Sequence, residues 1–237
     1  MKILEVKNLF KDFGNFRLGP LNFEVKKGEI YVLVGPNGSG KTTTLKLIIG
    51  LLKRDDGEIF LNGEKIDYSK DEFKKKIGFI QDSPFTYPYL SGIEQIFFIA
   101  SIYGIKKEEV KNKISYFSEL FDTKEWINEI SKNYSYGMKQ KVNIIQVLIC
   151  EPELLMIDEP LVALDPKAIY NFKKYLKNLK EKNKGILITT HSLSFAEEMG
   201  DRIGFIKDGK IIIEGEKENL YKKYDAKDLE EIFIKYL

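Results

Sequence analysis

The chain is 237 residues long, with 43% apolar and 31% charged residues, the balance of a soluble globular protein. Its formal net charge is +2, too mild to indicate a nucleic-acid partner. A single cysteine, Cys150, excludes an intrachain disulfide, which suits the cytosol. Charges within Met1-Lys2-Ile3-Leu4-Glu5-Val6-Lys7 break any signal-peptide core. The most apolar window, Ile93 to Ile105, carries Glu94, Gln95, Ser101 and Gly104. No stretch reaches the roughly 18 unbroken apolar residues of a membrane span, so any work at a membrane needs other chains to cross it.

Residues 1–34 alternate apolar and polar positions around Ile3 and around Leu21, Phe23 and Val25, which predicts half-buried antiparallel strands. Gly14-Asn15 and Gly19-Pro20 are the expected turns. Phe13 and Phe16 between them serve either as core aromatics or as a flat face on which a nucleobase stacks. The β-branched run Ile30 to Val34 reads as a fully buried strand. Gly35-Pro36-Asn37-Gly38-Ser39-Gly40-Lys41-Thr42 follows it, and Thr43 to Gly50 reads as a helix ending at glycine. Strand, GxxxxGK[ST] loop and helix together make a phosphate site. Glycines let backbone N–H groups turn inward around an anion, and the helix N-terminus adds unpaired donors. Lys41 reaches the β- and γ-phosphates, and the Thr42 hydroxyl is offered to Mg²⁺.

Asn62-Gly63 predicts a hairpin within residues 55–66. Lys74-Lys75-Lys76 is a solvated face, and Ile77 to Ile80 is a short strand ending at Gln81-Asp82. Ser83 to Tyr89 is irregular, proline-stiffened and aromatic, a composition of either core cover or a docking surface. Residues 92–121 read as helical, with Val110, Ile114, Phe117 and Phe121 on one face. A further helix over 138–149 starts at Ser135-Tyr136-Gly137, so its first N–H groups face outward. Leu154 to Ile157 is a second apolar strand, closed by Asp158-Glu159-Pro160. Two carboxylates at a buried strand end are costly unless they meet a cation, and beside a phosphate loop that cation is Mg²⁺. An amphipathic helix covers 167–182. Gly185 to Thr190 is a third apolar strand, followed at once by His191, the only histidine. Alone that histidine reads as structural; its place at a strand end of this kind makes it a catalytic candidate. A hairpin turning at Asp208-Gly209 follows, then a charged tail with Leu229, Ile232, Phe233 and Tyr236 on one helical face, which docks on the same domain or on a partner.

Phosphate loop, serine-glycine helix start, Asp-Glu strand end and histidine strand end stand in an order that resembles the nucleotide-binding subunit of an ATP-binding cassette (ABC) transporter. The resemblance runs from residue 2 to about 216. It implies an α/β fold: a P-loop NTPase (RecA-like) core, an antiparallel β subdomain, and a helical insertion near 85–150. Residues 217–237 are then a C-terminal helical extension. Gly35 to Thr42 matches the family's Walker A pattern, with Thr43 also at the nucleotide. Leu154 to Glu159 matches Walker B, with Asp158 on the metal and Glu159 as catalytic base. Asp165 is the acid of a D-loop, His191 the switch histidine, and Phe13 the adenine-stacking aromatic.

Two motifs depart from the family pattern. Where LSGGQ is common, this chain has Tyr134-Ser135-Tyr136-Gly137-Met138. Ser135 and Gly137, which contact the γ-phosphate of the opposite subunit, are kept, but Tyr136 replaces a glycine and must point away from the nucleotide. This form is similar to bacterial drug- and bacitracin-type exporter subunits. An ungapped count back from Pro84, Tyr87 and Pro88 puts the Q-loop residue, a metal contact, at Asp82, with Gln81 as the alternative. The resemblance implies an ATPase using ATP and Mg²⁺, dimerised with a second ATP-binding subunit. It also implies separate transmembrane permease subunits, no nucleic acid, and a cytoplasmic place on the inner face of the membrane. A P-loop kinase would leave Ser135-Tyr136-Gly137 unexplained. A nucleotide-gated regulatory module with little hydrolysis is opposed by Glu159 and His191.

Overall fold

The computed structural model describes residues 1–236; position 237, the last of the expected tail, lies outside the described residues. Two sheets form the frame. The antiparallel one has strand order β2-β1-β4-β5, from β1 (Lys2–Asp12), β2 (Arg17–Lys26), β4 (Asp56–Leu61) and β5 (Glu64–Lys65). The larger sheet has order β10-β9-β3-β8-β7-β6. It comprises β3 (Ile30–Val34), β6 (Ile77–Ile80), β7 (Leu154–Asp158), β8 (Gly185–Thr190), β9 (Arg202–Lys207) and β10 (Lys210–Glu216). All its neighbours are parallel except the β9–β10 hairpin.

The apolar run of β3 is explained by burial on both faces. Ile30, Val32 and Val34 join one core, whereas Tyr31 and Leu33 join another on the opposite side. The first core contains Phe172 and Leu176 from α5 (Pro166–Glu181) and Phe195 from α6 (Leu193–Met199). The second lies between the sheets and holds Leu45, Leu47 and Ile48 of α1 (Lys41–Ile48). That helix is therefore clamped from two sides. Each such fully buried aliphatic side chain contributes about 1.5–3 kcal/mol.

Between β6 and β7 the chain builds a helical layer: α2 (Gly92–Ile102), α3 (Lys107–Leu120) and α4 (Tyr136–Leu148). The expected single helical stretch over 92–121 is two helices. Ile105 N–H donates to the Ala100 carbonyl and Gly104 N–H to that of Ser101, the paired bonds of a glycine stop. The other correction concerns Gly19-Pro20, which sits inside β2 rather than at a turn. Pairing with β1 shifts register between Leu9↔Leu21 and Lys11↔Leu18, and this irregularity accommodates a residue that has no N–H to give. The tail folds as α7 (Lys217–Tyr224) and α8 (Leu229–Tyr236) on the chain's own body. Leu229 and Ile232 are fully buried and the Phe233 ring lies 6.4 Å from Phe205. No helix among the described residues is long and apolar enough to cross a membrane.

The helical layer is tied together by Tyr134, which is 5% exposed. Its hydroxyl accepts from the Gly92 N–H at 3.0 Å and lies 2.9–3.2 Å from the carbonyls of Trp126, Ile127 and Glu129. Removing that oxygen takes the recorded partner from the Gly92 N–H and the Glu129 carbonyl, while the Ile127 and Trp126 carbonyls keep their backbone donors. Tyr134→Phe is expected to lower unfolding stability by about 1–3 kcal/mol, read from urea denaturation.

Candidate functional site

Parallel register gathers the candidate residues at one edge of the large sheet. Val34 lies opposite Thr190, Thr189 opposite Asp158, and Ile157 opposite Ile80. The residues that follow these strands, Gly35, His191, Glu159 and Gln81-Asp82, therefore emerge side by side. Ligands of open α/β sheets bind at such carboxyl ends.

The loop from Gly35 to Gly40 leaves β3 with the tightest packing at its first residue. A Cβ on Gly35 would meet the Ile206 carbonyl oxygen at 2.1 Å, so only glycine fits. Pro36, Asn37 and Gly38 are exposed, while Ser39 is buried with an unpartnered hydroxyl. Gly40 is the N-cap of α1 and supplies no side-chain cap, so the helix presents free N–H donors. Lys41 Nζ donates to the carbonyls of Gly35 at 2.8 Å and Pro36 at 3.0 Å, which folds the ammonium over the loop. Burial lowers its pKa, against the attraction of Glu159 and Asp158. Thr42 and Thr43 stand half-buried in the first turn.

Asp158 is 1% exposed. Its Oδ1 accepts from the Thr189 hydroxyl at 2.6 Å, and its Oδ2 is buried without a partner. Burial pushes its pKa up, with the Asp82 and Glu159 charges adding, while the Thr189 and Thr42 hydroxyls oppose the rise. Thr42, Asp158 and Asp82 are thus neighbours. An orphaned carboxylate oxygen beside a threonine hydroxyl and a second carboxylate is a hard-oxygen donor set, which fits Mg²⁺. The Asp82 charge reaches Asp158, whereas Gln81 is neutral and exerts none. Gln81 contributes its carbonyl to Gln140 at 3.3 Å.

Glu159 has a left-handed backbone, φ 49°, which turns its side chain back across β8. The Thr190 hydroxyl donates to Oε2 at 3.0 Å and the His191 N–H to Oε1 at 3.0 Å. The His191 Nδ1 lies 2.8 Å from the same Oε1, with the ring otherwise exposed. Carboxylate and imidazole are one hydrogen-bonded pair at the mouth of the site.

The other candidates lie outside this cluster. Phe13 is 43% exposed, with the Phe16 ring centroid 6.4 Å away and Lys11 Nζ 5.8 Å above its ring. Phe16, not Phe13, packs toward Gly40 of the loop. Asp165 caps α5 by accepting from the Ala168 N–H at 2.8 Å and pairs with Lys141 at 2.7 Å. Burial would raise its pKa, but those two bonds outweigh it and the net shift is downward. Ser135 caps α4 by accepting from the Met138 N–H at 3.2 Å, and it is exposed. A Cβ on Gly137 would meet the Ala163 carbonyl oxygen at 2.6 Å. Among the described residues no hydrogen bond joins Ser135 or Gly137 to residues 35–43. Three partners were not singled out from sequence: Thr189, Thr190 and Lys141. The two threonines carried a signal, a hydroxyl pair ending an otherwise apolar buried strand.

The strain on Asp158 yields a pH signature. Its folded pKa lies above the ordinary 3.8, so its ionised form costs stability above that folded pKa, and the cost disappears below 3.8 where both states are protonated. Asp158→Asn keeps an acceptor for Thr189. Without nucleotide or metal it is expected to melt about 2–4 °C higher than the parent at pH 7, with the difference closing as pH falls toward 3.8. Calorimetry across pH checks this.

Comparison with known proteins agrees with the geometry. The ABC transporter family model matches residues 18–162. The bacitracin transport ATP-binding protein BcrA of Bacillus licheniformis is 36% identical over 230 residues, 96% of this chain and 74% of that protein. A solved ATP-binding subunit of an ABC transporter superposes with a TM-score of 0.93 at 30% identity, covering 99% of each chain. The cassette MJ0796, solved as a post-hydrolysis dimer with ADP and Pi, gives 0.79 at 29% identity over 90% of this chain and 98% of that one. The chain belongs to the ABC transporter family, as an ATP-binding, ATP-hydrolysing subunit with the P-loop NTPase fold.

Proposed function

We propose that this chain powers an exporter as one of two cassettes that close head to tail around ATP. The observation that carries the reading is a division of labour. Lys41, Thr42, Asp158, Glu159 and His191 share one sheet edge, whereas Ser135 at the start of α4 is exposed and hydrogen-bonded to none of them. One copy holds half of a site, and a second copy supplies the rest. MJ0796 is dimeric in its solved form, which supports the pairing.

Phosphates rest on residues Gly35 to Thr43, under Lys41. The adenine stacks on Phe13. Ser135 and Gly137 of the opposite copy cover the γ-phosphate, and Asp165 lies alongside in the D-loop. The terminal anion thus joins two positive helix ends that would otherwise stay hydrated. Shifting such a pair from 1:99 to 99:1 closed needs about 5.5 kcal/mol of differential binding, within reach of several charge-assisted hydrogen bonds. Thr42 and Asp158 would hold Mg²⁺, with Asp82 beside them or Gln81 as the alternative. Bound there, Mg²⁺ would supply neutralisation of charge on the transferring phosphoryl group. Glu159, oriented by Thr190 and the His191 amide, accepts the proton of the attacking water. His191 holds the γ-phosphate and registers its departure.

The domain plan has the cassette over 2–216, its helical layer near 85–150 as a separate lever, and 217–237 as an appended extension. Permease subunits dock on the inner face of the membrane at the 83–90 loop. That loop is irregular but held firmly. Buried Gln95 accepts from the Tyr87 N–H and donates to the Leu90 carbonyl, and Ser131 donates to the Tyr87 carbonyl at 2.7 Å. The pinned loop displays Phe85 and Tyr89, 66% and 78% exposed. Phe85, Tyr87 and Phe98 form an edge-to-face ladder of rings across the surface. Exposed aromatics on a rigid support are the composition of a binding site. BcrA, a bacitracin transport protein, supports a drug or peptide antibiotic as cargo.

Glu159→Gln is expected to keep ATP binding, accumulate a dimer on a sizing column, and lose at least about a hundredfold in turnover; parental turnover in this variant would remove Glu159 as the base. Phe85→Ser combined with Tyr89→Ser should leave the ATPase rate of the isolated chain unchanged while abolishing co-purification with the permease.

A further inference from the structure

Tyr136 stands where the family pattern has glycine, and its ring lies back along its own chain. The hydroxyl donates to the Asp82 carbonyl at 2.7 Å. One helical turn on, on the same face of α4, buried Gln140 donates to the Gln81 carbonyl at 3.3 Å. Two side chains at i and i+4 therefore grip two consecutive carbonyls. The ring is 48% exposed, so this residue is not a core aromatic whose value lies in packing. Its one directed bond is what it adds.

The gripped segment and the gripping helix have different duties. Asp82 belongs to the metal side of its own site, close enough to raise the pKa of Asp158. Ser135 is the immediate neighbour of Tyr136 and caps α4. In a head-to-tail pair it acts on the opposite site. We propose that Tyr136 is a positioning residue that ties these two duties together, so that the 81–82 segment serving one ATP and the α4 start serving the other move as a single body. This rests on the two-cassette reading above. Without the bond, the helix start and the segment must each be ordered when the pair closes, a cost otherwise met before binding.

The test is Tyr136→Phe in the full chain, which keeps the ring and removes the donor. Binding of fluorescent ATP to the monomer should be unchanged. In a Glu159→Gln background, the ATP-driven monomer–dimer constant by sedimentation should weaken about tenfold, the scale of two ordinary hydrogen bonds in a symmetric pair. In the otherwise native chain, kcat should fall with KM for ATP unchanged, a split that a merely structural defect would not give. An unaltered dimer constant together with an unaltered kcat overturns the role of Tyr136. A Glu159→Gln parent with no ATP-driven dimer overturns the two-cassette reading itself, which separates the two failures.

Discussion

Parallel pairing of four strands is the constraint on which the rest of the molecule depends. In a parallel ladder every carboxyl end points the same way, so β3, β8, β7 and β6 deliver their following residues to one edge. No single segment of the chain contains the site. Gly35, Asp82, Asp158 and His191 are separated by dozens of residues and become neighbours only through register. A slip of one residue would turn Thr189 and Asp158 to opposite faces and dissolve their bond. The two cores, which bury β3 on both sides, are what forbid such a slip.

That same burial creates the electrostatic tension of the site. Burial works against the charged form of both groups, raising the pKa of Asp158 and lowering that of Lys41. Neither group is neutralised by a direct ion pair with the other. Lys41 leans on loop carbonyls, and Asp158 leans on the Thr189 hydroxyl. Backbone and hydroxyl dipoles hold these groups in readiness for a nucleotide's phosphates. Glu159 and His191 differ, since they already satisfy each other.

Much of this was legible in the sequence because glycine, proline and β-branched runs act locally. The strand at Ile30–Val34, the loop after it and the hairpin at Asn62-Gly63 follow from composition alone. Gly104 carried a stop that the strong apolar periodicity around it obscured. Gly19-Pro20 looked like a turn because the dipeptide usually is one; a strand irregularity absorbed it instead. Side-chain partnerships across elements were the least legible. Nothing near residue 82 announces Tyr136, and nothing near Asp165 announces Lys141, since these pairs exist only once α4 is packed.

The clamping of α1 between the two sheets gives the machine a fixed anvil. A helix whose Leu45, Leu47 and Ile48 are fully enclosed does not swing. The layer of α2, α3 and α4 shares its packing with the body, since Ile96, Val110 and Ile145 belong to the same buried core as Val32 of β3 and Phe172 of α5. On the reading proposed above, loss of phosphate is then felt through that shared packing, from a cradle that stays put toward the aromatic loop the layer carries.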